Sequence, residues 1–168
     1  MTDSQQPFRE ASSQPFPEGS PQPFREASSQ PFREADAMPP GSVRPASDVD
    51  GHVAAYVAAF ATGSSAVMDR LYEPDAVLVP QPGTPLTSAA ERRAAYEHLL
   101  GFGVPMVAGT RHLYVAGDIA LSVVDWSMRG TARQGHPLDL SGVAADVLRR
   151  GADGRWRYLI NNPFGTGS

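Results

Sequence analysis

The chain has 168 residues, 41% of them hydrophobic, and a formal net charge of −4, which fits one globular domain with residues to spare. It has no cysteine, so disulfides, thiolate zinc sites, iron–sulfur clusters and cysteine nucleophiles are excluded. Its 14 basic residues, all arginine, are outnumbered by 18 acids, and neither half is polycationic, so nucleic-acid binding driven by phosphate contacts is not expected.

The first 45 residues hold nine of the 16 prolines. Residues 6–37 divide without a gap into four octads, QPFREASS, QPFPEGSP, QPFREASS and QPFREADA. Each proline disfavours helix at itself and at the Gln before it. Each octad carries one large apolar side chain, Phe8, Phe16, Phe24 or Phe32, too little to offset chain entropy. A disordered tail with local polyproline II character is expected. It reads as a linker expanded by repetition, or as a tandem peptide handle for a protein partner. A modifying enzyme acting on the octads, as on a ribosomally made peptide precursor, is a further reading. Residues 38–46 (MPPGSVRPA) read as the join, giving a tail over 1–45 and a domain over 46–168. The N-terminus has no basic or apolar signal region, and no run approaches the roughly 18 apolar residues of a membrane span. A bacterial cytoplasmic protein without membrane association is expected.

The domain opens on a helix capped at Ser47 or Asp48. Its Val53, Tyr56, Val57 and Phe60 recur at i, i+3, i+4 and i+7, an amphipathic stripe, and Gly63 ends it. A short second helix over 64–72 stops before Pro74. Residues 75–79 read as a strand, cut off by the Pro80-Gln81-Pro82-Gly83 turn. A third helix starts with the capping box Ser88-x-x-Glu91 and closes at Gly101. Strands are expected over 104–114, 119–128, 138–149 and 156–161, with hairpin turns at Ala116-Gly117-Asp118, Gln134-Gly135 and Asp153-Gly154. The order α-α-β-α-β-β-β-β predicts an α+β fold with helices on one face of a curved antiparallel sheet.

The stretch YVAAFATGSSAVMDRLYEPDAVLV, the Pro/Gly turn, the capped helix and the closing DGRWRYLINNPFG resemble the SnoaL-like branch of the nuclear transport factor 2-like superfamily, to which ketosteroid isomerases belong. The resemblance covers residues 47–166 and none of the tail. It implies a cone in which a bent sheet wraps a long helix and encloses one pocket. It also implies pairing of two copies through the convex sheet face. Relatives of this kind include isomerases, cyclases, epoxide hydrolases, dehydratases and non-catalytic binders, so the fold leaves function open. In ketosteroid isomerases a tyrosine and a protonated aspartic acid hydrogen-bond the developing enolate, and a carboxylate moves the proton. Laid on this chain, the tyrosine falls on Tyr56, the acid on Asp146 and the base on Pro80, which has no proton to move. Where the pattern has Asp-Asn, this chain has Asn161-Asn162, an amide in place of a carboxylate.

The base is therefore expected elsewhere. Asp125 and Trp126 point to opposite faces of one strand. With Gln134-Gly135 as a two-residue turn, Asp125 pairs with position 144 and shares the face of Asp146. A one-residue slip puts Trp126 there instead. The candidate catalytic residues are Asp125 as base with Tyr56 and Asp146 as donors. Trp126, His112 and Asn161 are the candidate ligand-binding residues, and Asp75 is expected at a turn. His52, His98, His112 and His136 have no metal-binding spacing, so no metal is expected, and with no GxGxxG, P-loop or GxSxG motif in the sequence no cofactor is expected either. The predicted ligand is a small apolar or polyketide-like molecule of secondary metabolism, processed by a cofactor-independent isomerase, cyclase or hydrolase. The alternative is a binding or carrier domain that presents the octads.

Overall fold

The computed structural model describes residues 41–165; the octads, and the expectations resting on them, lie outside the described residues. Asp48 accepts a bond from Asp50 N at 3.3 Å and opens a 3-10 turn, Val49–Gly51, that runs into α1 (His52–Ala61). The second helix, α2, is shorter than expected, Ser65–Asp69. Helix α3 (Ala89–Gly101) carries the predicted capping box, with Ser88 Oγ accepting from Glu91 N and Glu91 Oε2 accepting from Ser88 N.

The strands are β1 (Tyr72–Leu78), β2 (Met106–Ala116), β3 (Ile119–Thr131), β4 (Pro137–Arg150) and β5 (Trp156–Asn161). They form one open, curved sheet in the order β1-β5-β4-β3-β2. The α+β architecture and its element order are as expected, with one addition: β1 runs parallel to β5, while the other pairs are antiparallel. β1 also starts earlier than predicted and contains Pro74. Proline has no N–H for a ladder bond, and it is tolerated here because β1 is a sheet edge. Asp75 accordingly lies within this strand, exposed, 3.9 Å from Arg149.

The core lies between sheet and helices and includes Phe60, Met68, Tyr96, Met128, Leu148 and Trp156. Packing also reaches into the segment predicted as linker. Val43 is buried, Arg155 Nη1 donates to Pro45 O at 2.8 Å, and Trp156 N donates to Ala46 O at 2.8 Å.

The β3–β4 hairpin decides which side chains face inward. Ala132 N bonds His136 O and Gly135 N bonds Ala132 O, so the loop has three residues, Arg133-Gln134-Gly135. A two-residue type I′ turn requires positive φ at both central positions. Gln134 does not take it, while Gly135 does, at φ 86°. The three-residue loop ends on that glycine instead, and the register moves by one: Asp125 pairs with Val143, and Val124 with Ala144.

Candidate functional site

The inner faces of β3 and β4, with α1, α3 and the ends of β1 and β5, enclose a cavity of about 400 Å³. Its wall is mainly apolar, with Val53, Leu78, Leu99, Met106, Val124 and Trp126 contributing. The polar groups on it are Tyr56, Tyr96, Tyr158, Asp146, Asn161 and His98, and His98 and Phe164 are its solvent-exposed members. Pro80, at the position where the resemblance puts a base, is also part of the wall.

The one-residue shift corrects the placement of Asp125. Its carboxylate lies on the outer face, paired with Arg111, both about half-exposed. Trp126 takes the inward position, donating from Nε1 to Pro163 O at 2.6 Å and meeting Phe164 edge-on. Gly142 stands opposite Trp126 in the register, where a Cβ would come within 2.9 Å of the indole nitrogen. His112 is corrected too. A bulge at Arg111 leaves it opposite Val123 on the outer face, exposed and stacked on Tyr114.

Tyr56, Asp146 and Asn161 do meet at the cavity. Asp146 is 2% exposed. Its Oδ1 accepts from Asn161 Nδ2 and from Asn162 N, each at 2.9 Å, and no donor among the described residues reaches Oδ2. Burial raises this carboxyl from 3.8 to about 7, against the opposing pull of those two bonds. Asn161 in turn accepts from Tyr72 Oη at 3.0 Å. Tyr72 bonds Tyr96, and Tyr96 bonds Tyr56 at 3.1 Å. A phenol has one proton. Since Tyr72 gives its proton to Asn161, Tyr96 must give its own to Tyr72, and Tyr56 its own to Tyr96. In this arrangement Tyr56 accepts rather than donates toward the cavity.

Sequence reasoning missed Tyr72, Tyr96 and Tyr158. Tyr158 touches Tyr56, Tyr72 and His52 through its ring, and its hydroxyl has no hydrogen-bond partner among the described residues. Burial pushes all four phenols well above 10.0, so they act as neutral groups. Arg92 holds the cluster from behind. Buried on α3, it donates to Asp69 Oδ1 at 3.1 Å and Ala76 O at 2.8 Å, with its guanidinium 5.3 Å from the Tyr72 ring centre. The available signal was the count: four of the chain's five tyrosines are in this cluster. Among the described residues no group of three or more histidines or acids is placed to hold a metal.

An open, curved sheet wrapped over a helix, with an apolar cavity between them, is a fold of the nuclear transport factor 2-like kind. The SnoaL-like domain model matches residues 53–159, more than half of the chain, and the chain belongs to that family. No curated protein sequence matches it. Among solved structures it is similar to a ketosteroid isomerase-like protein from Erwinia carotovora atroseptica, with TM-score 0.55 and 19% identity over 65% of this chain and 86% of that one. An NTF2-like superfamily protein from Salmonella enterica serovar Typhimurium gives 0.57 and 15% over 71% and 91%. A proposed dehydratase of the NTF2-like family from Streptomyces avermitilis gives 0.52 and 18% over 65% and 87%. At these identities the likeness is one of fold.

Proposed function

We propose that the domain binds a compact apolar carbonyl compound and moves a proton on it without a cofactor, as an isomerase or dehydratase does. The solved structures that share its fold include a ketosteroid isomerase-like protein and a proposed dehydratase. One observation carries the reading: Asp146 is the single carboxylate lining the cavity among the described residues, it has a free oxygen there, and its midpoint is about 7. A group titrating near the working pH both accepts and returns a proton efficiently. Ionised Asp146 takes the proton from the carbon beside the carbonyl. The C–H electron pair passes into the enolate, whose oxygen accepts from the free Tyr158 hydroxyl. The proton then returns from Asp146 to carbon.

The test is hydrogen–deuterium exchange at the α-carbons of 2-tetralone, a bicyclic ketone, followed by NMR in deuterated buffer. Exchange should be faster with protein, and Asp146→Asn should slow it by about 10²–10⁴. Pro80 in the place of the usual base favours a second reading, a binding domain without chemistry. Ligand binding with no acceleration of exchange would select it, with the octads as the handle for a protein partner. Among the described residues no helix is long and apolar enough to cross a membrane.

We also propose a homodimer. The outer sheet face carries a row of directly opposed residues, Val77, Ile160, Val147, Leu121 and Tyr114. Leu121 is 43% and Tyr114 61% exposed, and a continuous apolar row of this kind suits an isologous interface. Light scattering should give twice the chain mass, and Leu121→Arg should halve it. A monomeric wild type at tens of micromolar rejects the dimer.

A further inference from the structure

The buried chain Tyr56–Tyr96–Tyr72–Asn161–Asp146 has four links, and each link holds one proton. Three hydroxyls supply one proton each. The amide of Asn161 supplies one more and accepts one, and a half-turn of its plane exchanges its nitrogen and oxygen. With Asp146 ionised, these four protons fill the four links. The chain then shows a ligand only acceptors, the Tyr56 oxygen at one end and Asp146 Oδ2 at the other. With Asp146 protonated, there is one proton more than there are links. It emerges at Oδ2 with the chain unchanged. Alternatively it sits on Oδ1, bonded to the turned amide oxygen of Asn161, every phenol rotates about its C–O bond, and Tyr56 becomes the donor. No tyrosine ionises in either case, and Asp146 alone exchanges a proton with its surroundings.

We propose that Asn161 is a positioning residue that ties the two ligand-facing ends of this chain together, so that the chain offers a ligand one donor at a time, at Asp146 or at Tyr56, and never both. When one end donates, the other accepts. The ligand satisfied at both ends is an apolar molecule with one carbonyl and one hydroxyl, a hydroxyketone or a keto–enol pair. This rests on the reading that Asp146 and Tyr56 face the ligand.

The other groups around the chain leave the count intact. Tyr158, from β5, lies outside it. Ser122 is buried opposite Asp146 on β3, and its hydroxyl bonds to nothing among the described residues. Arg92, from α3, is paired with Asp69 and faces the Tyr72 ring, not its hydroxyl. His52, from α1, meets the Tyr158 ring and is held below its ordinary range by burial. His98 stands at the exposed rim.

The test uses the full chain and 1-tetralone, a ketone with one acceptor and no donor, with affinity measured at pH 5.5 and 8.5. Wild-type affinity should fall about tenfold between the two, the worth of one lost hydrogen bond. Asn161→Leu cuts the chain and frees a phenol proton for Tyr56 whatever the state of Asp146, so the fall should disappear. Tyr72→Phe cuts it at the next link with less disturbance of packing and should act alike. Adding Tyr56→Phe to either should restore the fall. His52 and His98 are present in every variant and cancel. If both cut proteins keep the wild-type pH dependence, or if Tyr56→Phe fails to restore it, the coupling is overturned while the ligand site stands. If wild type binds no tetralone at either pH, both the coupling and the ligand-facing reading fall.

Discussion

Replacing Asp146 by asparagine tests the electrostatics of the pocket through folding. Burial moves this carboxyl from 3.8 to about 7 in the native protein. Below pH 4 native and unfolded chains both hold the proton, and the group leaves stability unchanged. Between about 4 and 7 the unfolded chain releases it while the native chain keeps it. The unfolded state then binds fewer protons, so stability falls as pH rises, by 1.36 kcal/mol per unit. Above 7 both forms are ionised and the loss is complete. The interval from 3.8 to about 7 therefore corresponds to about 4 kcal/mol. Asparagine does not ionise, and its oxygen still accepts from Asn161 and Asn162. The Asp146→Asn protein should gain about 4 kcal/mol on wild type between pH 4 and pH 8. Urea unfolding at several pH values, read by emission from Trp126 and Trp156, measures it, and the difference between the two proteins cancels every other titrating group. A stability difference that stays constant over that range would refute the buried carboxyl as described.

Three further outcomes follow from the geometry. Asp125→Asn should leave tetralone binding and exchange unchanged and cost less than about 1 kcal/mol, because its partner Arg111 is a surface residue; a large loss of exchange would return Asp125 to the mechanism. A chain starting at Gly41 should melt within a few degrees of full length. One starting at Ser47 loses buried Val43 and the bonds to Pro45 and Ala46, about 2–4 kcal/mol, and equal melting temperatures for the two would remove these residues from the domain. Gly142→Ala should push Trp126 off Pro163 O, costing about 1–3 kcal/mol and shifting tryptophan emission; an unchanged spectrum and melting temperature would show that the site accommodates a methyl group.

The sequence alone determined the parts of the molecule that rest on local chemistry. Asp48 and the Ser88–Glu91 box start helices because side-chain oxygens satisfy backbone donors within a few residues. The apolar alternation of 119–128 and 138–149 marks strands because a strand's faces repeat every second residue. The resemblance placed an acid at Asp146 and no base at Pro80, while the sequence left open whether Asp146 is buried, because both faces of its strand are largely apolar. The tertiary structure decided everything that depends on register or long-range pairing. Asp125 and Trp126 exchanged faces because Gln134 avoids positive φ, which lengthens the hairpin loop by one residue and inverts every side chain beyond it. Pro74 entered a strand because β1 came to rest on the sheet edge. Tyr56, Tyr72, Tyr96 and Tyr158 lie up to 102 residues apart in the chain (158 − 56) and carry no shared spacing. Their meeting, and the proton count that follows from it, exists only where α1, β1, α3 and β5 pack around Asp146.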